Sequence, residues 1–288
     1  MKERIANNTI IKHNALIEAS YRLSLNEIRL ILYGISLINP LKKGFPTEIA
    51  VDISKFANLF NTDKNGLYSD LKKSIIRKFW NREFSYKLDN NEIRLSRWLD
   101  QVDYCDKRGY IKIYFSERIK PLLCSLSRNF TTFYLSRVAN FKSIHSIRIY
   151  EIIIMHLNRS QENGKCLIPI SIEDLKEKLS LEKEYPRFSN FRLKVLEKAK
   201  NEINKYSDIK LSYKIEKLGR TPVNISFTIV RKKTEEDFKK AEIALLNKDV
   251  KEKDRRINHK PIHYSSTNVT TLDTSLQSIL NNLEKDID

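Results

Sequence analysis

The chain has 288 residues, a prior for about two domains, and at 41% hydrophobic it can bury real cores. Lysine and arginine outnumber aspartate and glutamate by 53 to 36, a net charge of +17, and a field of that sign gathers polyanions, nucleic acid first and anionic membrane second. There is no run of 18 or more apolar residues to span a bilayer, and Met1-Lys2-Glu3-Arg4 leads into no signal-peptide core, so a cytoplasmic protein is expected.

After a polar leader, Asn14 to Ser20 precedes Leu23 to Ile35, where Ser24 and Glu27 stand at capping-box spacing and predict a helix that ends near Asn39-Pro40. A short β-like run covers Thr47 to Val51. Helices are predicted from about Ser54 to Phe60 and from about Leu67 to Arg82, the latter with Leu71, Ile75 and Phe79 inward and Lys73 and Arg77 outward. Strands flank Cys105-Asp106-Lys107-Arg108-Gly109, a turn that carries two basic residues.

The second half repeats this order. Ser24 to Arg29 aligns with Ser143 to Arg148, Ile53 to Leu59 matches Ile172 to Leu179 in pattern, and Tyr68 to Leu71 aligns with Phe188 to Phe191, all at nearly one offset. Matches of that kind predict two copies of one supersecondary unit. The join is expected near Ser127 to Lys142, with a long helix from Ser143 to Arg159 opening the second unit.

From Tyr185 to Tyr206, Phe188, Phe191, Val195, Ala199, Ile203 and Tyr206 recur at spacings of three and four and predict one buried stripe of a helix. Asn190, Lys194, Lys198, Asn201 and Lys205 share the opposite face, a row of amide and ammonium donors suited to a phosphate-rich groove. Arg192 lies beside the buried stripe and is expected to snorkel or to pair with an acid. Ile209 to Ile215 and Val223 to Val230 read as strands joined by Glu216 to Pro222, a turn holding Lys217 and Arg220. A helix followed by a basic hairpin is the winged-helix arrangement.

Beyond residue 233 the character changes. Thr234 to Asp237 predicts a capped helix through about Asn247, Lys248 to Arg256 is a charge run, and Ile257 to Ser275 reads as a disordered linker. Leu276, Ile279, Leu280 and Leu283 then predict a small amphipathic helix, folded back on the body or ordering on a partner.

Catalytic signatures are missing. There is no Gly-x-x-x-x-Gly-Lys-Ser/Thr run and only six glycines in all, so a phosphate-cradling nucleotide loop is not expected. His145 and His156 lie eleven apart on a predicted helix, while His259 and His263 lie in the tail, so the paired histidines of a strand-nicking enzyme are not formed. Cys105, Cys124 and Cys166 are too far apart for a zinc motif or a disulfide framework and read as reduced thiols. No catalytic residue, cofactor or metal is expected.

Asn14-Ala-Leu-Ile17 with Ala19, then Leu23-Ser-x-x-Glu27-x-Arg29-Leu30-x-Leu32, resembles the opening of the iteron-type replication initiators of theta-replicating plasmids. Tyr185-x-x-Phe188-x-x-Phe191-Arg192-x-x-Val195-Leu196-x-x-Ala199-x-x-Glu202-Ile203-Asn204 resembles that family's second-domain signature, and Ile147-Arg148-x-Tyr150-Glu151 the helix that opens the same domain. The likeness runs from about residue 9 to 231.

The resemblance implies an α+β protein with two tandem winged-helix domains and a helical, partly disordered tail. Domain bounds are expected at 9–128, 129–233 and 234–288. It implies a non-enzymatic initiator that binds iterons in double-stranded DNA, helps open the origin and recruits the host initiator and replicative helicase. In that family dimers repress the initiator's own gene, and chaperones convert dimers to monomers. Expected DNA contacts are Arg187, Asn190, Arg192, Lys194, Lys198, Asn201, Lys217 and Arg220 in the second domain, with Lys73, Arg77, Lys107 and Arg108 in the first. A winged-helix transcriptional regulator shares every one of these binding features.

Overall fold

A computed structural model describes residues 9–38, 44–63, 66, 70, 81–88, 92–105, 109–124, 126, 128–159 and 165–232. The helix expected from about Leu67 to Arg82, with Lys73 and Arg77, falls largely outside these residues, as do Lys107, Arg108 and the tail.

The chain begins with β1 (Thr9–His13), α1 (Asn14–Glu18) and β2 (Ser20–Tyr21), then α2 (Leu25–Ser36). The capping box forms as expected. Glu27 N–H donates to Ser24 Oγ at 3.3 Å and Ser24 N–H to Glu27 Oε2 at 2.6 Å. Every residue from Glu27 to Ile35 is buried, so α2 is enclosed on all sides. Gly34 permits this, since a Cβ there would meet Ile113 Cδ1 at 2.5 Å.

Next come β3 (Ile49–Asp52), α3 (Ile53–Leu59), β4 (Glu83–Lys87), β5 (Ile93–Arg97), β6 (Leu99–Cys105) and β7 (Tyr110–Phe115). β8 (Phe130–Tyr134) precedes α4 (Ile144–Arg159), β9 (Lys165–Ser171) and α5 (Ile172–Lys178). Then α6 (Phe188–Phe191), a π-helical turn (Arg192–Glu197) and α7 (Lys198–Tyr206) run on as one rod, because the backbone at each joint keeps right-handed helical angles. The hairpin of β10 (Ile209–Leu218) and β11 (Thr221–Arg231) closes the described chain.

The repeat read from the sequence is present in the topology. In the first unit the sheet order is β3-β7-β6, and in the second it is β10-β11-β9. Each time, a strand between two helices, β3 between α2 and α3 and β9 between α4 and α5, pairs antiparallel with the second strand of the hairpin. The local chemistry repeats as well. Asp52 Oδ1 accepts from Lys55 N–H at 3.0 Å to cap α3, and Ser171 Oγ accepts from Asp174 N–H at 3.0 Å to cap α5. The fold is α+β, a pair of winged-helix units.

Several elements were not read from the sequence, β1 and β2 among them. β9 was missed because Lys165 to Ser171 holds a proline and shows little alternation. The β4–β5 hairpin extends the first unit through β2. β8 lies in the stretch expected to be the join, and it pairs with β1 from Thr9↔Tyr134 to His13↔Phe130.

Buried charge fastens α4 to the start of the chain. Lys12 Nζ donates to Glu151 Oε1 at 2.8 Å with both side chains at 1% exposure or less, and Arg148 donates to Glu151 Oε2 at 2.9 Å. Arg148 also donates to the Ile17 and Ala19 carbonyls at 2.8 Å, which are left open where α1 ends. Its guanidinium sits 4.1 Å from the centre of the Tyr21 ring.

Candidate nucleic-acid interface

The rod from Phe188 to Tyr206 is anchored by one face. Phe191, Val195, Leu196, Ala199 and Ile203 are buried. The buried stripe differs from the expected one at two positions. Leu196, three residues before Ala199 and seven before Ile203, lies on the same side as these and is buried with Val195. Leu196 thus joins the stripe, whereas Tyr206 at its far end is 37% exposed and leaves it.

Four polar devices fix the rod. Glu202 Oε2 accepts from the Lys142 and Ser143 N–H groups at 3.2 Å, placing an anion at the start of α4, where the free N–H groups favour one. Asn204 bonds both backbone groups of Leu211 on β10. Lys232 Nζ donates to the Asn204 and Ser207 carbonyls at 2.5 and 2.8 Å, covering the C-terminal end. Near the other end, Lys176 donates to the Glu184 and Tyr185 carbonyls at 3.0 Å and lies over the Phe191 ring.

A network joins rod and hairpin. Tyr213 on β10 donates to Glu197 Oε1 at 2.6 Å, and Lys200 lies 2.6 Å from Glu197 Oε2. The Lys200 hydrogen bond, then that from Tyr213, holds the Glu197 carboxyl below its usual range. Burial, followed by the bond to Glu197, pushes the Tyr213 phenol up to about 12.

The second-domain candidates come together on the outer side of this frame. Arg187, Asn190, Arg192, Lys194, Lys198 and Asn201 are all exposed along the rod, and Lys217 and Arg220 are exposed at the hairpin tip. The side chains of Arg187, Asn190, Lys194, Lys198, Asn201, Lys217 and Arg220 enter no ion pair among the described residues. Arg192 behaves as its position suggested, with Nε 3.9 Å from Glu197 Oε1. The hairpin differs in detail: its strands run to Leu218 and from Thr221, so Lys217 lies in β10 at a register shift and the turn is shorter than expected. Gly219 takes the left-handed φ of +61° that this tight turn needs.

Sequence reasoning missed Leu193, 68% exposed on the rod, along with the Glu197 network and the clamps made by Glu202 and Asn204. Glu202 and Asn204 stand in the signature quoted above, but their roles depend on elements brought near only by folding. Among the described residues no group of His, Cys, Asp or Glu forms a metal site, and Cys124 and Cys166 are free thiols. No described helix is long and apolar enough to cross a membrane.

Two winged-helix units in one chain, the second with a free face of donors on its third helix, define a tandem winged-helix protein of the DNA-binding class. Family models agree: one described as initiator replication protein, WH1, matches residues 9–154, and one described as initiator Rep protein, WH2, matches residues 171–229. The chain belongs to this replication initiator family. It is 27% identical over 227 residues to a replication initiation protein of Escherichia coli, across 76% of this chain and 69% of that one. It is 28% identical over 169 residues to the PI protein of Escherichia coli, across 54% of each. Among solved structures, the Pi initiator protein in complex with iteron DNA superposes with a TM-score of 0.66 at 24% identity, over 80% of this chain and 99% of that one.

Proposed function

We propose that this initiator binds directly repeated iterons in double-stranded DNA at a plasmid origin, with the second domain, residues 129–233, as the principal reader. The rod enters the major groove and the β10–β11 hairpin lies along the adjoining backbone. The observation that carries this is the outer face of the rod, where donors for base edges and phosphates stand exposed above a core that fixes their direction. The Pi initiator, of the same fold, is solved with iteron DNA, which supports that ligand class here.

The first domain, residues 9–128, takes adjacent DNA and forms the dimer contact, and a dimer represses the initiator's own gene. Bound monomers help to open the origin and bring in the host initiator and replicative helicase, while host chaperones release monomers from dimers. The tail, 234–288, contacts a host replication protein through Leu276 to Leu283. The work is binding and strand opening in the cytoplasm, with no bond chemistry, cofactor or metal.

DNase footprinting across the region that flanks the gene tests this reading. Protection of evenly spaced direct repeats is expected, and it should be lost in a Lys194→Ala/Lys198→Ala variant. Protection of a single inverted repeat at the promoter, and nothing else, would instead mark a transcriptional regulator. Cleavage of a strand in the presence of a divalent metal would overturn the non-enzymatic reading.

A further inference from the structure

Leu193 stands on the wrong side of its helix for a core residue. It is two residues from Phe191 and two from Val195, so it lies roughly 200° of turn from each, on the face away from the core. The buried leucine of this segment is Leu196, in line with Ala199 and Ile203, while Leu193 is 68% exposed. From Phe188 to Asn201 the other exposed side chains are Ser189, Asn190, Arg192, Lys194, Lys198 and Asn201, all polar. Glu197, one turn further on, is drawn toward Tyr213 and Lys200 at 2.6 Å each, so Leu193 is left uncovered.

A base edge in the major groove offers one apolar group, the 5-methyl of thymine. Asn190, one turn before Leu193, carries the amide that fits adenine N6 and N7. Resting on the reading that this rod enters the major groove, we propose that Leu193 is a specificity-determining residue that packs on a thymine methyl. With Asn190 it makes this part of the rod a reader of A·T pairs. A single leucine ringed by donors is too small an apolar patch for a protein partner, whereas one methyl is matched to it in size.

The contact can be tested atom by atom. Full-length protein is first used to select preferred duplexes from a random pool, and one selected duplex is the probe. Each thymine is then replaced singly by deoxyuridine, which removes the methyl and nothing else, and affinity is read by fluorescence anisotropy for wild type and Leu193→Ala. At one or two thymines the wild type should lose about fourfold, the worth of one buried methyl, while Leu193→Ala loses almost nothing at the same positions. Equal losses in both proteins at every thymine, or no loss anywhere, would overturn the assignment. A pool that yields no preferred sequence would overturn the major-groove reading beneath it, and that failure shows at the selection step, before any thymine is changed. Leu193 is exposed, so the alanine variant should keep the wild-type melting temperature, which circular dichroism confirms before binding is compared.

Discussion

The Asn204 side chain spans the backbone of Leu211, accepting from its N–H at 2.6 Å and donating to its carbonyl at 2.9 Å. β10 is an edge strand, and at Leu211 these two groups face outward to Asn204, where no further strand pairs with them. Asn204 satisfies both, and in doing so sets the angle between rod and hairpin. Asn204→Ala should destabilise the fold by about 1–3 kcal/mol, the cost of leaving such groups unpaired, as read by urea denaturation. Hydrogen exchange gives the specific check: the Leu211 amide should lose protection while Phe227, deeper in the sheet, keeps it.

The buried cluster of Lys12, Arg148 and Glu151 holds two cations against one anion. Burial, opposed by the nearby Glu151, lowers the Lys12 pKa, and Arg148 lowers it further. Removing the anion should therefore cost far more than removing Lys12. Glu151→Leu is expected to lose about 3–5 kcal/mol of stability, while Lys12→Met, which leaves Arg148 paired with Glu151, should come near neutral. Trp98 is buried against Tyr21 and Phe84 and reports the unfolding by fluorescence. Equal losses in the two variants would show that Lys12, and not Arg148, is the main partner of Glu151.

The periodic parts of this fold were legible in the sequence. Phe191, Val195, Ala199 and Ile203 announced the rod, and the Ser24 and Glu27 pair announced α2, because helix period and capping are local matters. The repeat was visible because each unit spends similar residues at the same turns. What escaped depended on contacts far apart in the chain. β8 is a strand because β1 is there to pair with it, and Glu202 matters because the start of α4 has been brought within 3.2 Å. Leu196 was legible too, three residues before Ala199 and seven before Ile203 on a 3.6-residue period, whereas the π-helical turn between Arg192 and Glu197 leaves no mark in that period. Among the candidate contacts, the exposure of Lys194 and Lys198 followed from the period, but the freedom of their ammonium groups needed the acids to be located.

Burial of Tyr213 with its bond to Glu197, and the bond from Lys200 to Glu197 with that from Tyr213, give stability an alkaline limb and an acid limb. A phenol whose folded pKa is raised from 10.0 to about 12 contributes stability that is fully present below pH 10 and is lost as pH rises toward 12. Glu197 is depressed below 4.5, so its contribution is present above that pH and fades as pH falls through its folded value. Tyr213→Phe should flatten the alkaline limb and keep part of the acid one, since Lys200 still holds Glu197. Thermal melts between pH 3 and 12 give the profile. An unchanged alkaline limb would assign it to another tyrosine, such as Tyr150, whose burial and bond to Asp208 raise its pKa as well.

Phosphate contact and base contact leave different traces, and the rod should show both. If Lys194 and Lys198 each neutralise one phosphate, the double alanine variant should reduce the slope of log affinity against log salt by about 1.8. It should weaken preferred and random duplexes alike. Asn190→Ala should leave that slope unchanged and lose about 1–3 kcal/mol on the preferred duplex alone, because an amide bonded to a base edge releases no counterion. Arg192, already within 3.9 Å of Glu197, should give the smaller change of the two basic types, since DNA must compete with that carboxylate for it. Anisotropy titrations at four salt concentrations separate these cases. A slope that falls equally for Asn190→Ala would mean that this variant tilts the rod, and the assignment of base reading to Asn190 would then fail.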